Sequence, residues 1–149
     1  MERGLVSTGE RQSPGWEELA AAALEVRRRA YAPYSGYQVG AALRVRSGRV
    51  FTGCNVENAT YGLTVCAERS AVLQMIAAGE KDPVAVVVAT RGPVAAAPCG
   101  MCRQTLAEFA VDLHIRLIAA PVEGEETPTP RDTSLAELLP QAFRGDALA

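Results

Sequence analysis

Two short segments carry three thiols and a carboxyl group: Cys66-Ala67-Glu68 and Pro98-Cys99-Gly100-Met101-Cys102. A catalytic zinc takes three protein ligands and leaves its fourth position to water. Cys66, Cys99 and Cys102 supply that number. Glu68, two residues past the first thiol, is placed to carry protons to and from such a water. The Cys-x-x-Cys spacing lets two sulfurs reach one tetrahedral ion, so Cys66 must come from a facing element.

Charge adds a further requirement. Three thiolates on a divalent ion leave about one net negative charge, which makes bound water harder to ionise. Arg69 directly follows Glu68, and its guanidinium on the sulfurs would withdraw part of that charge. A structural zinc site with Cys54 as its fourth ligand is the alternative, although it leaves Glu68 and Arg69 without a role. Otherwise Cys54 reads as a small buried hydrophobe.

The elements that must hold these groups are legible in outline. Residues 16–30 are rich in Ala, Leu, Glu and Arg and predict a helix, broken by Ala32-Pro33-Tyr34-Ser35-Gly36. Tyr37 to Arg46 and Val50 to Asn55 predict two strands joined by a two-residue turn at Ser47-Gly48. A helix is expected from Thr64–Cys66 to Ala78, stopped by Gly79. Pro83 to Thr90 is a β-branched run that suits a strand covered on both faces.

A second short helix follows over Gly100 to Ala110, and a buried strand over Asp112 to Ala120. Pro121 to Asp132 reads as a surface loop, and Ser134 to Leu139 as a final helical turn or two. Cys66 and Cys99 therefore both fall at helix starts, where free N–H groups and the helix dipole favour thiolate. The alternation of strands and helices predicts an α/β fold, a three-layer α/β/α sandwich with one mixed sheet.

The bulk numbers fit one domain. A chain of 149 residues, 48% hydrophobic, can bury a core. We expect a flexible tail over residues 1–14 and a single catalytic domain over 15–145. The net charge of -2, with no basic stripe, argues against nucleic acid as a partner. No run of ~18 apolar residues is present to span a membrane. The polar N-terminus lacks the apolar core of a signal peptide. A reduced, cytoplasmic setting is expected, where clustered cysteines mean metal or chemistry before disulfides.

Cys66-Ala67-Glu68 with Pro98-Cys99-Gly100-Met101-Cys102 resembles the known metal signature of the zinc-dependent deaminases. The likeness extends to Ala32-Pro33-Tyr34-Ser35, Val39-Gly40-Ala41-Ala42, Gly53-Cys54-Asn55-Val56-Glu57-Asn58-Ala59, Tyr61-Gly62, Arg69 and Arg103-Gln104. Over residues 16–143 the chain resembles the small homotetrameric cytidine deaminases. Their Asn-Val-Glu-Asn block is the discriminating part, because other zinc deaminases share only the metal motifs.

The resemblance implies hydrolysis of cytidine and 2′-deoxycytidine to the uridines and ammonia, in pyrimidine salvage. It implies one Zn²⁺ per chain on Cys66, Cys99 and Cys102, with Glu68 as proton shuttle and Arg69 behind the metal. Asn55 and Glu57 would hold the ribose 3′-hydroxyl, with Tyr37 and Ala67 also touching the substrate. Tyr37 stands where the family often has Phe. Ala59, Tyr61 and Phe143 would reach into neighbouring subunits' sites in a homotetramer.

Plainer readings stand beside these. Asn55, Glu57 and Asn58 could form only a polar turn after a strand. Phe143 could merely cap the core. His114, the single histidine, reads as a packed or edge residue. Arg27, Arg28 and Arg29 would splay around a helix as a solvated face. Another zinc deaminase of the superfamily, acting on an aminonucleoside antibiotic or a polynucleotide base, would share the metal motifs but should lack the ribose block.

Overall fold

The computed structural model describes residues 14–148. Of the tail expected over 1–14, residues 1–13 lie outside the described residues.

Helix α1, Trp16–Arg27, carries Glu17 and Glu18 in its first turn and Arg27 in its last, the charge order that its dipole favours. It ends three residues before the expected Ala30, and Ala30 N–H closes a turn onto Arg27 C=O at 3.1 Å. Strands β1, Gly40–Val45, and β2, Val50–Cys54, form an antiparallel hairpin. The expected two-residue turn is corrected. Val45 N–H donates to Arg49 C=O, and Gly48 N–H donates to Val45 C=O. The loop is therefore Arg46-Ser47-Gly48, a turn followed by a glycine at φ 93°. That third residue needs positive φ, which Gly48 supplies without steric cost.

Helix α2, Ala67–Ala77, ends in a Schellman closure: Glu80 N–H donates to Met75 C=O, and Gly79 N–H to Ile76 C=O. Strand β3, Pro83–Thr90, helix α3, Gly100–Ala107, and strand β4, His114–Ala119, follow.

The expected loop over Pro121 to Asp132 is also corrected at its end. Arg131–Ser134 is strand β5, antiparallel to β4. Its sequence is wholly polar because it is an exposed edge, so no apolar alternation announces it. Instead Arg116 of β4 grips Asp132 of β5 through two hydrogen bonds of 2.6 and 2.7 Å. Helix α4, Leu135–Leu138, begins at a capping box between Ser134 and Glu137.

The sheet order is β2-β1-β3-β4-β5, with only β3 and β4 parallel. Alternation along β3 divides the core in two. Ala85, Val87 and Ala89 join Leu19 and Ala23 of α1 on one face. Val86 and Val88 join Ala67, Ala71, Met75 and Leu106 of α2 and α3 on the other. This is the expected α/β sandwich with one mixed sheet between helix layers. A fully buried leucine such as Leu19 stabilises the packing by ~1.5–3 kcal/mol.

One close approach fixes the site's frame. A Cβ on Gly53 of β2 would lie 2.4 Å from both Ala67 C=O and Ala71 N. Helix α2 therefore lies directly on the β2 backbone, which only glycine permits.

Candidate active site

Helix starts bring the three thiols together. Cys66 is the N-cap of α2 and Cys99 the N-cap of α3, both in extended backbone. Cys102 sits one turn into α3 and is buried. The three sulfurs lie within 4.8 Å of one another, with Cys66 and Cys99 Sγ 3.8 Å apart. Cys54 is not part of this cluster.

The electrostatics favour ionisation at Cys66. The Cys66 thiol is pulled down to about 5, first by hydrogen bonding from Cys102, then by Cys99 and Arg69, against the cost of burial. Cys102 moves the other way: its contact with Cys66, its burial and the nearby Glu68 all make it keep its proton. Burial chiefly, and then the Cys66 charge, raises the Glu68 carboxyl above its ordinary range. Glu68 is 5% exposed, and its Oε2 lies 3.6 Å from Cys102 Sγ.

Arg69 is the counter-charge. Burial opposes its ionisation, but contacts with the Cys66 and Cys102 sulfurs outweigh that and hold it more firmly protonated than usual. One terminal nitrogen donates to Thr64 C=O at 2.7 Å, while the buried Nε has no hydrogen-bond partner. A compact set of three sulfurs backed by a guanidinium fits zinc, which needs thiolates and benefits from charge offset behind them.

A cavity of about 330 Å³ opens over the cluster. Cys66, Ala67, Glu68 and Cys99 line one side of it, and Tyr37, Asn55 and Glu57 another. Asn55 and Glu57 thus face the same space as the three-cysteine cluster. Asn55 is buried, with Nδ2 donating to Tyr37 C=O and Oδ1 accepting from Val39 N–H, each at 2.8 Å. Glu57 Oε2 accepts from Tyr34 N–H at 2.8 Å and Ser35 N–H at 3.2 Å, and Oε1 accepts from the Ser35 hydroxyl. The Ser35 hydroxyl foremost, and then those two N–H groups, hold the Glu57 carboxyl below its ordinary range.

Three expected contacts are not in this cavity within one chain. Ala59 is exposed, Tyr61 is 75% exposed and Phe143 is 60% exposed. Tyr61 lines a neighbouring hollow with Tyr34, Ser35, Glu57 and Thr64, its ring edge-on to Tyr34 at 6.0 Å. The cavity also has walls that sequence reasoning missed: Ser35, Val39, Thr64, Val88, Thr90, Ala96 and Ala97. Thr90 left a faint signal, a hydroxyl closing the apolar run of β3. His114 is exposed at the start of β4, which is flanked by β3 and β5, so it is neither packed in the core nor on an edge strand. Arg28 and Arg29 pair with Glu25 on the surface, while Arg27 Nε donates to Gln38 C=O at 2.9 Å.

The model of the cytidine and deoxycytidylate deaminase zinc-binding region matches residues 15–116. The chain belongs to that deaminase family. Its relatives agree along most of their length. A cytidine deaminase of Sporosarcina psychrophila is 38% identical over 138 residues, covering 89% of this chain and 94% of the relative. One of Halalkalibacterium halodurans is 41% identical over 126 residues, covering 83% and 90%. The crystal structure of the cytidine deaminase from Burkholderia pseudomallei is similar with a TM-score of 0.76 and 44% identity, covering 85% of this chain and 98% of that one. The family's zinc and the three-cysteine cluster here agree on one metal ion per chain.

Proposed function

We propose that this deaminase acts on cytidine and 2′-deoxycytidine, taking up water and releasing ammonia with the corresponding uridine. The observation that carries the reading is that Asn55 and Glu57 share one cavity with Cys66, Glu68 and Cys99. Zinc held by Cys66, Cys99 and Cys102 would supply Lewis acidity and lower the pKa of water at the site.

The chain's own residues do the rest. Glu68, buried with a raised affinity for protons, would take one proton from water and pass it to ring N3, then take the proton of the added hydroxyl and pass it to the departing amine. Arg69 offsets the charge of the sulfurs. Asn55 retains one unused amide hydrogen and Glu57 one unused acceptor site after the bonds described above. A donor and an acceptor left free on the lining of one cavity complement a hydroxyl, and we assign them to the ribose 3′-position. Tyr37 would wall the base, and Ala67 at the first turn of α2 would meet it from the metal side.

We further propose a homotetramer with shared sites. Ala59 and the large exposed aromatics Tyr61 and Phe143 are free to enter a neighbour's cavity. The catalytic unit would be the domain over 15–145, with residues 1–14 a tail outside it. A thiol-only donor set works best where cysteines stay reduced, so we assign the protein to the cytoplasm, recycling pyrimidine nucleosides. Among the described residues no helix is long and apolar enough to cross a membrane.

Loss of ultraviolet absorbance tests the activity: cytidine should be converted, and free cytosine, CMP and adenosine should be poor substrates. Rapid turnover of free cytosine would overturn the ribose assignment. Sharing is tested by mixing Glu68→Gln chains with chains lacking residues 143–149, each inactive alone. Regained activity supports a shared site, and a fully active monomer in sedimentation rejects it.

A further inference from the structure

Three polar side chains are buried among the described residues: Asn55, Glu68 and Thr90. The first two have the roles above. Thr90 is 2% exposed and, like Val88, lines the catalytic cavity from the end of β3. Its hydroxyl accepts the Ala96 N–H at 3.1 Å and turns its own proton toward Ile118 C=O of β4 at 3.5 Å.

The position of that bond matters. Residues 91–99 have no helix or strand, yet they deliver Cys99 to the metal cluster. Ala96 and Ala97 form cavity wall, and Pro98 is buried. The far end of this stretch is already held: Arg103 Nε donates to Pro98 C=O at 2.8 Å, and Arg103 N–H to Cys99 C=O at 3.0 Å. The near end is held by Thr90. A strand terminus and a helix start thus clamp a short wall between them; Ala95 and Ala97 pack it against the core, and the strand's hydrogen bond to it is one hydroxyl.

We infer that Thr90 is a positioning residue of the deaminase site: its hydroxyl fixes the 96–99 wall against the sheet and thereby sets where Cys99 stands relative to Cys66 and Glu68. The inference rests on the reading of this cavity as the active site. Shape alone does not explain Thr90, since valine has nearly the same outline but can neither accept from Ala96 nor donate to Ile118. Displacement of a reacting geometry by about 1 Å costs on the order of 10²-fold in rate, so a loosened wall should register in kcat before it registers in KM.

Thr90→Val, Thr90→Ser and wild type, all zinc-loaded, should be compared in cytidine kinetics and in the rate of zinc release to excess colorimetric chelator. The Val variant should lose roughly 10- to 100-fold in kcat with KM little changed, and release zinc faster. The Ser variant should recover most of both losses. Val87→Ala, a cavity on the α1 side of the sheet, should lower Tm yet leave kcat and zinc release unchanged. If Thr90→Val does not fold, Thr90→Ala takes its place against Thr90→Ser. Wild-type kcat and zinc release in the variant lacking the hydroxyl would overturn the inference, as would a Ser variant no better than it. A wild type that does not turn over cytidine would refute the function instead, and the zinc-release comparison would still decide Thr90.

Discussion

The Asn55 side-chain amide closes on the main chain of Tyr37, with Nδ2 donating to the Tyr37 carbonyl at 2.8 Å. Together with its bond to Val39 N–H, this makes Asn55 a side-chain continuation of the β1–β2 ladder beyond Gly40. The residue proposed to touch the sugar therefore also holds the residue proposed to touch the base. Asn55→Ala should impair both. Leaving two part-buried backbone groups unpaired costs at most ~1–3 kcal/mol each, so a lower Tm should accompany the loss of activity. Glu57→Ala, whose partners are more exposed, should lose sugar discrimination with a smaller change in Tm. Calorimetry and a comparison of cytidine with its 3′-deoxy analogue measure the two effects. An Asn55→Ala protein of normal Tm would contradict the structural half of this account.

Serine at Cys66, Cys99 or Cys102 should abolish zinc retention and activity together. Serine at Cys54 should spare both, because Cys54 stands apart from the three-sulfur cluster. Elemental analysis of the purified variants checks this. Zinc lost on changing Cys54 would revive a closed, four-ligand structural site.

Glu68→Gln should keep fold and zinc but lose turnover. General acid–base groups contribute ~10²–10⁴-fold, and one that serves successive proton transfers should cost at least that. Pre-steady-state and steady-state rates measure the loss. Near-normal kcat would remove Glu68 from the mechanism.

The Arg116–Asp132 pair gives the β4–β5 edge a pH dependence of defined sign. The Arg116 contact holds the Asp132 carboxyl below its ordinary 3.8. A depressed folded pKa stabilises the protein above the unfolded value, and that contribution is lost as pH falls through the folded value. The Tm difference between wild type and Asp132→Asn should thus be constant at neutral pH and shrink as pH drops below about 4. Both groups are partly exposed, so the difference should be small and weakened by salt. A gap that widens on acidification would show that the pair does not act this way.

Much of the fold was legible because burial writes itself into sequence. The Val84–Val88 run announced a strand covered on both faces, and the cysteines announced two helix starts. Strand β5 was not legible: Arg131-Asp132-Thr133-Ser134 buries little, and both its antiparallel ladder with β4 and its one cross-strand ion pair are placed only by tertiary structure. The hairpin loop was misread by one residue because Ser-Gly suits both a two-residue turn and the last two places of a three-residue one. In the site, residue types carried the chemistry of Cys66, Glu68, Cys99 and Cys102. They could not show that Asn55 and Glu57 spend most of their bonding capacity on the 34–39 segment. Nor could they single out Thr90, Ala96 and Ala97, whose part depends on a loop path and not on composition.

The contact of Gly53 with the α2 backbone has a bearing on how freely this sequence can drift. The spacing between the strand that leads to Asn55 and the helix that starts at Cys66 is set by main chain against main chain. At Gly53 itself the nearest atoms are main chain, Ala67 C=O and Ala71 N, with Ser70 Cβ the next. Elsewhere, swaps among Val86, Val88 and Leu117 can be absorbed by repacking neighbours of matching volume. The approach of β2 to α2 at Gly53 has no such adjustment. Ancestors and engineered descendants alike can rewrite much of the hydrophobic interior while inheriting the same working distance, provided position 53 never gains a carbon.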